Sequence, residues 1–177
     1  MPDYRRNRVP GGTYFFTVTL YDRHSDLLVA EIDALRAAVR KTMVRSPFHI
    51  DAWVVLPEHM HCLWTLPEND TNYSGRWWAI KTAFSKSLPA HEPRSGTMTK
   101  RGERGIWQRR FWEHTIRDDE DYAAHMDYIH FNPVKHGLVA NAGNWPFSSF
   151  RRSVAKGFYP TEWAGSSEAL SDAGERS

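Results

Sequence analysis

Two strand-like runs, residues 49–56 and 60–66, are separated only by a short connection through Pro57 and Glu58. A connection this short predicts that the two strands pair as an antiparallel hairpin. The other strand candidates, rich in aromatic and β-branched residues, are 13–20 and 111–116. The hairpin therefore belongs to a sheet of about four strands, and this limits the fold more than any other feature of the chain.

Three segments show the apolar spacing of amphipathic helices. They cover residues 31–44, 74–87 and 119–128. Ser74 is the candidate N-cap of the second helix, and Asp118 or Asp119 that of the third. The resulting order, β-α-β-β-α-β-α, predicts an α+β domain of ferredoxin-like type, with an antiparallel sheet of about four strands and helices packed on one face.

The chain length of 177 residues fits one domain with a substantial core. We expect this domain to cover residues 1–165, and the polar tail 166–177 to be disordered. Between 88 and 105 the chain lacks periodicity and collects Pro, Gly, Ser and basic residues. A loop this long inside a compact domain is usually functional or disordered.

Composition excludes several classes of protein. No apolar run approaches the roughly 20 residues that span a bilayer. A single cysteine, Cys62, allows no internal disulfide and favours a reducing cytoplasm. With a net charge of only +2, the protein is not a polycation that holds nucleic acid by bulk charge. Aromatic residues form 14% of the chain, which suits a dense core or surfaces for stacking bases.

Basic residues are concentrated in two places along the chain. Between 94 and 110 they outnumber a single acid, Glu103, and a second cluster lies near the N-terminus. Such clusters suit a groove that follows phosphates, and solubilising loop charge explains them equally well. The candidate DNA contacts are Tyr4, Arg5, Arg6, Arg8, Arg94, Lys100, Arg101, Arg104, Arg109, Arg110, Lys135 and His136. Tyr4 and Trp107 are also candidates for stacking on unpaired bases.

His59 and His61 stand two residues apart in the second strand of the predicted hairpin. Because side chains alternate along a strand, both imidazoles point from one face and offer two adjacent ligands to a divalent metal. Cys62 points to the other face and is expected to be a small core residue, which argues against a zinc site. Ordinary half-buried histidines explain the pair as well, in a chain with 9 His. Other candidate ligands are His125 and His130.

Tyr128 and Asn132 are four residues apart, a spacing that brings two side chains onto one helix face. Tyr128 offers a nucleophilic hydroxyl, and Asn132 a carbonyl oxygen as third metal ligand. Pro133 disfavours helical backbone at Asn132, so a helix-terminating asparagine is an alternative, as is a core role for Tyr128. Tyr122, about 120° away around the helix, is the candidate structural tyrosine. Together with the paired histidines, these are the parts of a metal-assisted transesterification site.

Three segments are longer and more distinctive than these patterns: 57–61 (PEHMH), 107–114 (WQRRFWEH) and 127–137 (DYIHFNPVKHG). They resemble the REP-associated tyrosine transposases, a family of the single-tyrosine HUH transposase superfamily. The similarity extends from 4–6 through 145–150 to 163–165, nearly the whole chain. Several long motifs in the same order are not expected by chance.

The resemblance implies a ferredoxin-like fold and a role for each candidate residue. His59 and His61 match the paired histidines, Tyr128 matches the nucleophile, and Asn132 matches a polar metal-ligand position that is glutamine in other branches. Family members cut single-stranded DNA beside repetitive extragenic palindrome (REP) hairpins, using Mg²⁺ or Mn²⁺. We therefore expect such a hairpin as partner, Mg²⁺ or Mn²⁺ as cofactor, and a cytoplasmic enzyme associated with the bacterial nucleoid. The family is expected to act as single subunits, although some superfamily relatives are dimers.

The expected reaction is attack of Tyr128 on phosphorus, which gives a 5′-phosphotyrosine and a free 3′-hydroxyl. Three other interpretations fit the sequence. A hairpin-binding protein needs the basic clusters without cleavage, a hydrolase uses metal-bound water in place of the tyrosine, and a host-adapted enzyme keeps the chemistry in a different biological role.

Overall fold

The computed structural model describes residues 5–165 of the chain. Its strands are β1 (Thr13–Thr19), β2 (His49–Val55), β3 (His59–Thr65) and β4 (Trp112–Thr115). Its helices are α1 (Leu27–Ala30), α2 (Ile32–Arg45), α3 (Tyr73–Ser87), α4 (Gly96–Lys100), α5 (Asp119–Lys135) and α6 (Phe150–Ala155), with a 3₁₀ turn at Ala142–Asn144. Tyr4 and the tail 166–177 lie outside the described residues.

The four strands form one sheet in the order β2-β3-β1-β4, and every neighbouring pair is antiparallel. This is the strand order of a ferredoxin-like α+β fold, as predicted. The predicted hairpin is also present: β2 pairs with β3, and Leu56 N donates to His59 O at 2.8 Å across the turn. The predicted fold class is therefore confirmed.

Helices cover both faces of the sheet, and the prediction that they lie on one face is wrong. One cluster joins Phe16, Met60 and Trp64 to α2 and α3, whereas the other joins Phe15 and Leu63 to α5. The reason is that all residues of β3 except Thr65 are buried. A strand that is apolar on both sides needs packing on both sides.

The N-caps of α3 and α5 set where these helices begin. The Asn72 side chain accepts from Gly75 N and caps α3, so Ser74 lies inside the helix and is not the cap. Asp118 caps α5 by accepting from Asp121 N at 2.8 Å, one of the two predicted positions.

The helix α5 continues seven residues beyond Tyr128, through Pro133 to Lys135. Proline was expected to disturb the helix at Asn132, but the chain keeps helical geometry there. Pro133 itself is buried, and the helix ends at Lys135, two residues before Gly137, whose φ of +68° lies in the left-handed region. Asn132 therefore shares a helix face with Tyr128.

The segment 88–105 is less irregular than expected, because it contains α4. The Arg104 side chain stabilises this segment. Its guanidinium donates to Ser85 O, to Leu88 O at 3.0 Å and to Pro89 O at 2.7 Å, and it forms a salt bridge with Glu92. Among residues 5–165, no helix has the length and apolar character needed to cross a membrane.

Candidate active site

The paired histidines lie at the centre of the sheet, on the face that α5 covers. His59 and His61 are buried in β3, and their ring centroids are 4.9 Å apart. Glu58 Oε1 lies 2.7 Å from Nδ1 of His59, and Thr17 Oγ1 lies 2.8 Å from Nδ1 of His61. With Nδ1–H donating to these oxygens, Nε2 is the nitrogen that carries the lone pair in both rings.

The charge state of His61 suits metal binding. Burial lowers the pKa of His61 well below its usual value, and the nearby charges of His59, His136 and Lys135 lower it further. The ring is therefore neutral at neutral pH, and neutral imidazole is the form that ligates a metal.

Tyr128 lies against this histidine pair. Its ring centroid is 5.2 Å from that of His61, and the side chain is 3% exposed. Lys135, about two turns further along α5, donates from Nζ to the Tyr128 hydroxyl at 3.3 Å. The ring of His136 lies 5.2 Å from that of His59. One helix thus brings a phenol, an ammonium group and an imidazole to the two histidines of β3.

Asn132 is fully buried, yet neither Oδ1 nor Nδ2 of its carboxamide has a hydrogen-bond partner among the described residues. Leaving a buried amide unsatisfied costs about 1–3 kcal/mol, so such a group calls for an explanation. It lies one helical turn after Tyr128, on the same helix face, so its amide oxygen is a candidate metal ligand. Two imidazole nitrogens and an amide oxygen are donor types that a divalent cation can accept.

Tyr122 and His130 have other roles. The Tyr122 hydroxyl donates to Asp51 Oδ1 at 2.8 Å, which agrees with a structural tyrosine. His130 is fully buried with Nε2 3.0 Å from Ser149 Oγ, and burial lowers the pKa of His130 to about 4. Cys62 lies in the core cluster on the opposite face, as predicted.

Within residues 5–165, a single group of three His, Cys, Asp or Glu residues could hold a metal ion by distance: His114, Asp121 and His125, whose ligand atoms lie within 4.8 Å of one another. Asp121 bridges the two imidazoles, with Oδ2 2.8 Å from His114 Nε2 and Oδ1 3.1 Å from His125 Nδ1. The two rings are stacked at 4.7 Å with 15° between their planes, so their lone pairs run parallel and do not converge on one point. This arrangement favours a bridging carboxylate over a metal centre.

Burial acts to raise the pKa of Asp121, but hydrogen bonds from His114 and the Arg117 backbone outweigh it and the net shift is downward. The sequence pointed to His125 as a possible ligand and missed its partners. The four-residue spacing of Asp121 and His125 was the available signal.

The predicted DNA contacts divide into two groups. Those exposed to solvent are Arg5, Arg8, Arg94, Lys100, Arg101, Arg109, Arg110, Lys135 and His136. Arg6 stacks on the Phe111 ring at 4.0 Å and lies 3.7 Å from Glu113, while Arg104 is held inside its loop. The geometry therefore does not support Arg104 as a phosphate contact.

Trp107 is not the exposed stacking surface that was expected. Its ring packs on Phe84 at 5.4 Å, and its Nε1 donates to Ser85 Oγ at 3.2 Å. The roles of Thr17, Glu58 and Lys135 around the site were also missed, because they depend on strand register and helix length.

Comparisons with known proteins identify the family to which the chain belongs. No family model matches the chain. The chain is 51% identical over 176 residues to the REP-associated tyrosine transposase of Escherichia coli strain K12, covering 99% of this chain and 98% of that protein. A Haemophilus influenzae protein described in the same terms is 48% identical over 166 residues, covering 93% of this chain and 94% of that protein.

A solved structure of a REP-associated tyrosine transposase bound to a REP hairpin is similar in fold as well. It has a TM-score of 0.81 and 51% sequence identity, with 94% of this chain and 93% of that chain covered. Fold and site define the class: a tyrosine transposase with paired histidines. The chain belongs to the family of REP-associated tyrosine transposases.

Proposed function

We propose that this protein is a metal-dependent endonuclease and strand transferase for single-stranded DNA, acting beside REP-type hairpins through a covalent 5′-phosphotyrosine. The observation that carries the proposal is the 5.2 Å contact between the rings of Tyr128 and His61 within one chain. With DNA bound, this contact would place the nucleophilic hydroxyl and the candidate cation site beside the same phosphate.

The residues of the site have complementary tasks. His59, His61 and Asn132 are the groups that would hold Mg²⁺ or Mn²⁺, and the cation when bound neutralises charge on the scissile phosphate. The Lys135 ammonium donates to the Tyr128 oxygen and so stabilises negative charge there. Burial of the tyrosine excludes bulk water, which would otherwise compete for phosphorus.

The reaction conserves the number of phosphodiester bonds. The Tyr128 oxygen forms a bond to phosphorus, and the bond from phosphorus to the 3′-oxygen breaks, which leaves a free 3′-hydroxyl. Because the phosphotyrosine is still a diester, a second 3′-hydroxyl can attack it and release the tyrosine. Strand transfer therefore needs no nucleotide triphosphate.

The partner is proposed from the relative solved with a REP hairpin. The exposed basic residues of the N-terminal segment and of 94–110 supply charge for a DNA backbone. We propose that the protein works as a single subunit in the cytoplasm, close to the nucleoid, and that residues 1–165 form its catalytic domain.

The test is incubation of hairpin DNA carrying single-stranded flanks with Mn²⁺ or Mg²⁺, followed by denaturing gel electrophoresis. A label at the DNA 3′ end is expected to move with the protein, whereas a 5′-labelled strand gives a free shorter product. Tyr128→Phe abolishes the adduct, and the matched control Tyr122→Phe retains it.

Other outcomes favour the alternatives. Cleaved products without attached protein indicate a hydrolase that uses water, and tight binding without cleavage indicates a hairpin-binding protein. An adduct that persists in Tyr128→Phe contradicts the proposed nucleophile.

A further inference from the structure

We infer that Trp112 is the stacking surface for an unpaired base in the single-stranded flank of the DNA. The inference rests on the proposed function and adds a binding site for one nucleobase at the sheet edge. Trp112 is 43% exposed, although it belongs to a strand of the central sheet.

Strand register puts Trp112 in line with the candidate active site. Thr17 pairs with His61 of β3 on one side and with Trp112 of β4 on the other. Directly opposite residues of antiparallel strands point to the same face, and the 2.8 Å distance between Thr17 Oγ1 and His61 Nδ1 confirms this for the first pair. Contact of the Trp112 ring with Phe15, 5.7 Å between centroids, confirms it for the second.

The separation suits neighbouring nucleotides of one strand. His61 and Trp112 are two strands apart, so their backbones are separated by about 10 Å. A base adjacent to a phosphate held at His61 is within reach of a ring at that distance. The β4 strand is the outer strand of the sheet, so the approach to Trp112 is from solvent.

The ring of Trp112 ends a stack of three parallel rings. Trp112 and His114 lie at 6.1 Å with 10° between their planes, and His114 and His125 at 4.7 Å with 15°. Asp121 contacts both histidines: its carboxylate lies 2.8 Å from His114 Nε2, and its backbone oxygen lies 2.8 Å from His125 Nδ1. One side of the indole is therefore supported by a braced stack, and a planar ligand on the other side extends that stack.

Two exposed arginines flank this strand in the sequence, which suits a nucleotide better than an apolar partner. Arg110 precedes the strand and Arg117 follows it, and both are exposed. Every nucleobase offers an aromatic face, and its phosphates are attracted by these guanidinium groups. Trp78 provides a contrast: it is 70% exposed but belongs to α3, on the opposite face of the sheet.

The experiment measures binding to hairpin DNA with single-stranded flanks in EDTA, so that cleavage plays no part. Trp112→Ala is expected to weaken binding by about 5- to 150-fold, the equivalent of one lost base stack. Trp112→Phe keeps most of the affinity because it keeps a ring, and the control Phe158→Ala, at a 68% exposed ring outside both basic segments, leaves the affinity unchanged. Thermal unfolding of each variant verifies that it is folded.

A scan with single abasic nucleotides along the flank locates the base. At one position, loss of the base is expected to weaken binding of the wild type but not of Trp112→Ala. Equal affinity of Trp112→Ala and wild type, or equal abasic penalties in both, overturns the inference and leaves the proposed function standing. Failure of the wild type to bind any flanked hairpin overturns both.

Discussion

Thr17 and Glu58 hold the two histidines of the candidate site in one orientation. Thr17 Oγ1 lies 2.8 Å from Nδ1 of His61 and Glu58 Oε1 lies 2.7 Å from Nδ1 of His59, an arrangement that leaves Nε2 of each ring as the candidate metal ligand. Groups in this position fix the tautomer of a metal ligand and raise its basicity. The site is therefore sensitive to residues that need not contact DNA.

We expect Thr17→Val to lower the metal affinity by about 10–100-fold, because His61 loses the oxygen that orients it. Adduct formation should then need a correspondingly higher Mn²⁺ concentration. The measurement is the Mn²⁺ concentration that gives half-maximal adduct. The control is Thr13→Val, on the same strand and face, whose hydroxyl bonds to Thr65 instead. Similar Mn²⁺ dependence in both variants would contradict the orienting role.

Lys135 was first expected to contact DNA, but its ammonium group donates to the Tyr128 hydroxyl. Lys135→Met is therefore expected to slow single-turnover adduct formation by about tenfold or more, since hydrogen bonds to charged groups contribute about 1.5–3 kcal/mol. Hairpin affinity should change little. Lys41→Met, exposed on α2, is the control. A loss of hairpin affinity, together with a slope of log affinity against log salt concentration that is shallower by about one, would instead indicate that Lys135 contacts a phosphate.

At the scale of single residues, the sequence predicted those positions that depend only on spacing within one strand or one helix. The two-residue spacing of His59 and His61, and the four-residue spacing of Tyr128 and Asn132, depend only on strand and helix geometry. The pairing of Thr17 with His61 depends on register between strands 44 residues apart, and no local pattern encodes it. The position of Trp112 could not be predicted from local pattern either. Its alignment with His61 depends on the register of β1 with β3 and on that of β1 with β4.

Two helices stabilise opposite faces of the sheet and have different tasks. α5 carries Tyr128 and Lys135 to the candidate site, and Asp118 sets its beginning. α3 closes the other face and is fastened by Arg76, which is 3% exposed. That guanidinium donates to both oxygens of Asp70, at 3.1 and 2.7 Å, and to Ser46 O and Pro47 O.

The Asp70–Arg76 pair predicts a pH dependence of stability. Hydrogen bonding from Arg76 lowers the pKa of Asp70, so the stabilisation is complete above the usual carboxyl value and is lost as the pH falls through the lowered one. Asp70→Asn should reduce the free energy of unfolding by about 2 kcal/mol at pH 7, because Arg76 stays buried beside a neutral group.

Urea unfolding across pH tests this expectation. Wild type and Asp70→Asn should converge below the lowered pKa, whereas Asp33→Asn, on an exposed surface of α2, should match wild type throughout. A constant gap between wild type and Asp70→Asn at every pH would contradict the assignment.

The elements themselves were largely predictable, but their boundaries and faces were less so. Apolar spacing indicated the three long helices and four strands. The extension of α5 past Pro133 was not expected, because the rule for residues before proline is a preference that buried packing overrides. The helices on both faces were missed because β3 was treated as a strand with one buried side, although residues 59–64 are all buried.

The molecule as a whole contains Tyr128 and both histidines within contact distance in one chain. Under the proposed function, a site formed this way needs no exchange of helices between copies. Mixing His61→Ala with Tyr128→Phe should therefore restore no adduct, as judged on the same denaturing gels. Restored adduct would show that a tyrosine from one copy serves the histidines of another.

The arrangement also has a stoichiometric consequence. A chain that supplies its own phenol at its own imidazole pair can carry only one severed strand at a time. Under the proposed reaction, joining thus requires either attack on the phosphotyrosine by a 3′-hydroxyl already present on another strand, or an encounter of two loaded copies on the same DNA.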